Sequence, residues 1–459
     1  MSINPTPQIW IAGEYVPTSA SGDPTHIALD GLEIEWGSHE RFTDIVPAIL
    51  KLRILDTTGE WIAEKVLPGT DIKIAYLWST GNGSTNRYMF RGMITSSDIT
   101  PRNWRKEASE DHGYFVDIVA TDRIGQLGNT FLSFASDTTS TSTLAYRANK
   151  INEAAGNTFA AIVTPEQPVN GMLKEVYTNS AALTVLDELY RGLNRRPEYD
   201  PHTNRIESQQ WGGITYWRFA GFFLDSVSGK YKLGLPRHPQ VEYLGVGLDP
   251  LYTLPAEHVE SEGALTRSLD SSITQVSVKY HSESLPDADL YERQAVQIPN
   301  YRGIGNRVWN AETKALSRPY GLAFALKREA EDNLWRWRLE DVSWNTKRTG
   351  GFDTEASMHM WLQPRSNEQR VFLQGSAHNH LADYIPIYGL FGSTITYRND
   401  SWNFALKLAP YGYELIRCDP LTFDRWGTGT TDNPTFGELH ETTRLSDMKF
   451  TDSTIMETI

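Results

Sequence analysis

The sequence predicts a mainly β chain with an α+β insert, and three observations carry that prediction. Before residue 130, apolar and polar residues alternate over several short runs, the pattern of strands with one face in a core. From Leu144 to Gly192 the apolar spacing becomes helical. Alternation then returns, most clearly over Ile273–Tyr280 and at Trp402, Phe404, Leu406 and Leu408. The 459 residues accommodate about two to four domains.

In the first segment, Leu32, Ile34 and Trp36 alternate with acidic residues, and Leu50, Leu52 and Ile54 with Lys51 and Arg53. Ile72, Ile74, Tyr76 and Trp78 repeat the pattern. Asn82-Gly83 then offers a hairpin turn, since both residues tolerate positive φ. Asp30-Gly31 also reads as a turn. Phe90–Thr95 is a strand in which Gly92 removes a side chain where something packs closely. Tyr114, Val116, Ile118 and Ala120 share one face of the next strand, and Asp122 begins a turn that leads to Leu127. Five or six strands at this spacing predict a barrel or a sandwich.

The Ser- and Thr-rich stretch from Ser133 to Thr143 reads as a linker. Leu144, Ala148, Ile151 and Ala155 then mark one face of a helix stopped by Gly156. A second helix runs from Ser180 through Leu183, Leu186, Leu189 and Tyr190 to Gly192. Strands follow around Trp217–Leu224 and Tyr231–Leu235, which makes the middle block a small α+β unit. Later, a helix is expected over Tyr320–Asn333, and Trp335, Trp337 and Leu339 alternate as a strand. The tail from Gly427 is polar. No fixed-period repeat is visible, which disfavours a solenoid or propeller.

A formal net charge of −14 argues against an external nucleic-acid or anionic-membrane binder, because phosphate contacts need clustered Lys and Arg. Cys418 is the only cysteine, so neither an intramolecular disulfide nor a cysteine zinc site is expected. The start of the chain has no signal-peptide pattern, and no apolar run approaches the ~20 residues of a membrane helix. A reducing cytoplasm is the expected place of folding.

Enzyme constellations are sparse. The sequence has no Gly-x-Ser-x-Gly elbow, His-Glu-x-x-His, P-loop or Gly-x-Gly-x-x-Gly after a strand. His378, His380 and Asp383 form the most metal-like group, and a solvated loop is the favoured reading of them. Acidic pairs such as Glu33 with Glu35, and Glu329 with Glu331 and Asp332, read as acidic surface. Trp335, Trp337 and Trp344 fit either a sugar platform or packing between sheet and helix, and packing is favoured. No catalytic, cofactor or metal residue is therefore assigned.

The order of short signatures is more specific than any one of them. Glu35-Trp36-Gly37 is followed by the strand Leu50–Leu55 ending in Asp56-Thr57-Thr58-Gly59, then by Phe90–Thr95 and Val119–Leu127. After the helical insert comes Leu269–Tyr280. This succession resembles the minor tail proteins and tail-tip hubs of siphophages, similar in architecture to contractile-tail baseplate hubs. The resemblance covers roughly residues 25 to 410. Its structural signature is Trp36, Gly37, Phe90, Gly92, Asp122, Leu127, Val276 and Val278.

The resemblance implies two antiparallel, tail-tube-like β-barrels at 1–132 and 266–400, an α+β insert at 133–265 and C-terminal strands with a polar tail at 401–459. It further implies a homotrimeric virion protein, assembled in the host cytoplasm, at the distal end of a tail. There it would adapt a six-fold tube to a three-fold tip and line a channel through which DNA passes non-specifically. Its partners would be a distal tail ring, a tape measure and tip or receptor-binding proteins, with no membrane anchor. Many such hubs carry a C-terminal hydrolase or sugar-binding extension, whereas this chain ends at Ile459, so cell-wall degradation is expected of another protein. The alternatives are a hexameric distal tail ring, a host-sugar or receptor binder, and, last, a cell-wall hydrolase.

Overall fold

The computed structural model describes residues 3–18, 26–37, 46–80, 83–102, 113–135, 144–156, 172–192, 199–200, 205–206, 221–224, 228–229, 231–234, 251–266, 273–282, 284–296, 307–314, 316, 323, 326–327, 330, 338–362, 370–376 and 384–416. The alternation in the first segment becomes seven strands: β1 (Gln8–Ile11), β2 (Glu14–Val16), β3 (His26–Gly37), β4 (Ile49–Asp56), β5 (Asp71–Thr80), β6 (Gly83–Pro101) and β7 (Tyr114–Asp122). They pair antiparallel in the order β3-β4-β7-β6-β5-β1-β2. Leu32, Ile34, Leu50, Leu52, Ile72, Ile74, Val116 and Ile118 are all buried on the inner face. The run curls until the amide of Ala28 in β3 donates to Pro17 O, just past β2, at 2.8 Å.

Two turns differ from the sequence reading. Asp30-Gly31 lies inside β3, where a bulge between Leu29 and Glu33 shifts the register against β4. Gly31 has φ +125°, so the glycine bends the strand instead of ending it. In the hairpin, Thr80 pairs with Gly83, which places Gly83 in the strand and leaves residues 81 and 82 between the paired ends. A bulge where Ile74 faces Phe90 and Ala75 faces Tyr88 moves the pairing by one residue.

The middle block supplies β8 (Phe131–Ala135), β9 (Val176–Ala181), β10 (Tyr199–Asp200), β11 (Arg205–Ile206), β12 (Gly221–Leu224) and β13 (Tyr231–Gly234). Ser133 is thus in a strand, since Leu132 is buried against the insert, and the linker reading fails there. Helices α1 (Glu60–Glu64) and α2 (Arg123–Leu127) belong to the first run, and α3 (Leu144–Ala154) and α4 (Ala182–Gly192) to the insert. A second core of Ile124, Leu127, Leu132, Ile151, Val185 and Leu186 holds α2, α3, α4 and the β8–β9 pair together.

Next come β14 (Leu251–Pro255), β15 (Val259–Thr266), β16 (Gln275–Ser282), β17 (Leu285–Ala295), β18 (Val308–Glu312), β19 (Arg338–Asn345), β20 (Arg370–Gln374), β21 (Tyr384–Arg398) and β22 (Ser401–Ile416). A second curled run has the order β14-β20-β21-β22-β19-β15, and its end strands are consecutive across the 3-10 turn Ala256–His258. β14 and β20 are parallel, while the other neighbours are antiparallel. Val276 and Val278 stand apart from this run, in a three-stranded sheet β17-β16-β18 packed on helical residues Ala323, Leu326 and Ala330.

The two runs are one sheet. β21 pairs with β20 near Tyr388 and with β3 from Gly392 to Tyr397, which joins thirteen strands among the described residues. Their apolar faces form one core, into which the short helices α5 (Thr346–Thr349) and α6 (Glu355–Leu362) also pack. Trp344 stacks on Phe404 at 4.6 Å, with Phe352 and Trp361 edge-on to it, so Trp344 is a packing residue. Trp335, Trp337, Cys418, the His378–Asp383 group and the polar tail lie outside the described residues.

Two further links stitch the runs together. Ile3 bridges Phe352, and the indole N–H of Trp402 donates to Pro5 O at 2.7 Å. Deep in the core, Tyr76 of β5 hydrogen-bonds Nδ1 of His359 in α6. Burial pushes the His359 pKa down to about 3 and raises that of Tyr76, so the phenol donates to a neutral imidazole.

Candidate assembly surface

The sequence signature maps onto three places. Phe90, Gly92 and Asp122 meet where β6 crosses β7. Phe90 is buried, and an added Cβ on Gly92 would lie 2.0 Å from Thr121 O and 2.9 Å from Asp122 Cα. The close approach expected at Gly92 is therefore between two backbones. Asp122 is fully buried and caps α2, its Oδ1 accepting from Ile124 N at 3.1 Å and Gly125 N at 3.3 Å. That cap sends Leu127 into the insert core. Asp122→Ala should cost about 1–2 kcal/mol and speed proteolysis around residues 123–135. Unchanged cleavage there would show that the cap does not hold the insert to the sheet.

Trp36 and Gly37 sit at the seam between the runs. Trp36 pairs with Ser393 and Gly37 with Gly392, and a Cβ on Gly392 would come within 2.6 Å of Trp36 O. Lys407 of β22 reaches across β21 to Glu35 at 2.7 Å and to Gly37 O at 3.3 Å. The hydrogen bond and charge of Lys407 hold the Glu35 carboxyl below its ordinary pKa. Val276 and Val278 are in the third core, so the structure does not gather the signature into one site. The first two groups mark junctions.

Sequence reasoning missed two buried polar devices. Asp56 ends β4 and accepts from Thr58 N, Gly59 N and Ile62 N at 2.9–3.2 Å, which shapes the turn into α1. Asp-Thr-Thr-Gly was a readable signal for such a turn, because an Asp side chain can imitate the backbone. In the insert, buried Arg147 donates to Tyr177 Oη and Leu173 O, and Tyr177 in turn donates to Glu188. Nothing in the local pattern foretells that network, whose members are up to 41 residues apart in the chain, from Arg147 to Glu188.

The exposed features are faces and edges. On the polar face of the sheet, charges pair across strands, Lys51 with Glu33 at 2.8 Å and Arg53 with Asp117 through two bonds of 2.6 and 2.7 Å. Beyond Ile94, whose backbone also bonds Gly69 and Thr70, β6 pairs with β7 alone among the described strands, and Thr95–Pro101 is largely exposed, with Ile99 46% accessible. β15 ends the sheet path, and β17 flanks the small sheet with no buried residue along its length. Among the described residues these edges have no further strand beside them, and such edges present backbone donors and acceptors to a neighbouring chain. No described helix is long and apolar enough to cross a membrane.

No protein-family model and no curated protein sequence matches the chain. Among solved structures, it is similar to the tail protein from Neisseria meningitidis MC58, with a TM-score of 0.50, 11% identity, and coverage of 89% of this chain and 97% of that one. The chain has the fold of a tail protein. The 43 kDa tail protein of prophage MuSo2 from Shewanella oneidensis follows at a TM-score of 0.49 and 9% identity, over 88% of this chain and 98% of that one. The prophage tail protein gp18 from Listeria monocytogenes EGD-e lies at 0.41 and 9%, over 87% and 94%. The fold argument rests on the first of these. In this tail-protein fold, the mainly β architecture expected from alternation is the observed one.

Proposed function

We propose that this chain is a structural protein of a phage tail and serves as the hub of the tail tip. The observation that carries the reading is the pairing of two curled strand runs side by side in one chain, in a fold shared over nearly the whole length of a tail protein. Three such chains present six curled units, which suits the step from a six-fold tube to a three-fold tip. Open edges at Thr95–Pro101 and β15 support ring contacts between copies. On this reading the protein resides in the virion at the distal end of the tail and meets a distal ring, a tape measure and tip proteins. DNA passes along its channel without specific binding, in keeping with the acidic balance.

The test is the copy number per purified particle, by quantitative mass spectrometry against the tail-tube protein. Three copies are expected. Six copies would assign the chain to a distal ring, and absence from the particle would overturn the virion reading.

A further inference from the structure

In a chain of net charge −14, the described cations are mostly held by carboxylates, as Lys51, Arg53, Lys65, Arg123, Lys314 and Lys407 show. Arg87 is not so held. It lies on β6 opposite Tyr76 and makes no hydrogen bond or ion pair among the described residues. Its Nε is buried without an acceptor. Its guanidinium sits over the Trp78 ring, 5.7 Å from the centroid.

Tyr76 and His359 are committed to each other, and both are buried. The charge of Arg87 is nevertheless felt there, because it helps to lower the pKa of His359. The site opens on one side, where Thr85, the cross-strand partner of Trp78, is exposed. An arginine carries five donors in a fixed fork, and leaving the buried Nε–H without an acceptor costs free energy that an anionic oxygen recovers.

We propose that Arg87, laid on Trp78, is a receptor for a carboxylate supplied by a neighbouring protein chain. A carboxylate is favoured over a nucleic-acid phosphate because the net charge of −14 repels a polyanion, whereas a lone side-chain carboxylate arrives on a surface of mixed charge. The neighbour rests on the tail reading, but the anion-binding property belongs to the free chain and stands or falls without it.

The experiment is a TROSY titration of the full chain, labelled with ¹⁵N-arginine, by sodium acetate, inorganic phosphate and a short single-stranded oligonucleotide in separate arms. Arg87 Nε–H is identified by its loss in Arg87→Gln and Arg87→Lys. At pH 7 acetate should shift that resonance saturably and leave the other arginine resonances in place. The Lys variant keeps the charge without the fork, so at pH 7 its acetate-induced shift of the His359 ring resonances should be at least several-fold weaker than in the unchanged chain. No saturable shift with acetate overturns the proposal. A shift by the oligonucleotide at lower concentration than by acetate or phosphate overturns it in favour of nucleic acid.

Discussion

Gly92→Ala should destabilise the large-sheet core by about 3 kcal/mol, the upper end of the usual cost of overpacking. The new methyl carbon would lie 2.0 Å from Thr121 O, 2.8 Å from Thr121 C and 2.9 Å from Asp122 Cα. All three obstacles are backbone, so no rotamer change relieves them. The backbone there is also pinned. Gly92 pairs with Ile72 on one side and Asp122 on the other, and Asp122 N donates to Ala48 O at 3.0 Å. Asp122 in turn anchors α2.

The measurement is the urea midpoint followed by Trp fluorescence, since several tryptophans lie in this core. Gly13→Ala is the control. Gly13 has φ +84° with nothing within 4 Å of an added Cβ, so only the left-handed backbone cost of about 1–2 kcal/mol applies. Equal effects of the two substitutions would show that β6 and β7 are not locked at Gly92.

Trp402→Ala should cost about 4 kcal/mol, as expected for a fully buried tryptophan. The indole is completely enclosed and packs on Tyr397 at 4.9 Å between ring centroids. Its N–H holds Pro5 O, and its backbone N–H donates to Thr346 Oγ1 at 2.9 Å, which itself donates to Asn4 at 3.1 Å. One residue thus ties together the chain start, α5 and β22. Trp402→Phe keeps most of the volume and should lose about 1–2 kcal/mol through the missing hydrogen bond. Hydrogen exchange provides the second readout. Amides of residues 3 and 352, which bond each other at 3.0 and 2.7 Å, should exchange faster in the alanine variant, while those of β4 stay protected. Unchanged exchange at both would mean that Trp402 does not hold the N-terminus.

The alternation of Leu50, Leu52 and Ile54, or of Trp402, Phe404, Leu406 and Leu408, was sufficient to place strands and their buried faces. A period of two residues leaves little choice once one face must be dry. Helices α3 and α4 were legible for the same reason, with their ends marked by Gly156 and Gly192. Gly92 was legible as a close approach because a glycine inside an apolar strand weakens it unless something needs the space. By contrast, Asp30-Gly31 looked like a turn and is a bulge, since the dipeptide supports both and the strand on either side decides. The junction role of Trp36-Gly37 was hidden because its partners, Gly392 and Ser393, are more than 350 residues away.

The sequence alone determined the strands with clear alternation and their dry faces, the two helices of the insert and the acidic balance, because those properties follow from local periodicity and composition. Only the tertiary structure decided that both strand-rich segments belong to one sheet through β3 and β21, that β16–β18 stand apart, and that Arg87 rests on Trp78 with no ion pair among the described residues. Strand order and side-chain partnership depend on contacts between residues far apart in the chain. A two-residue period says which way a side chain faces, and nothing about which strand will lie beside it.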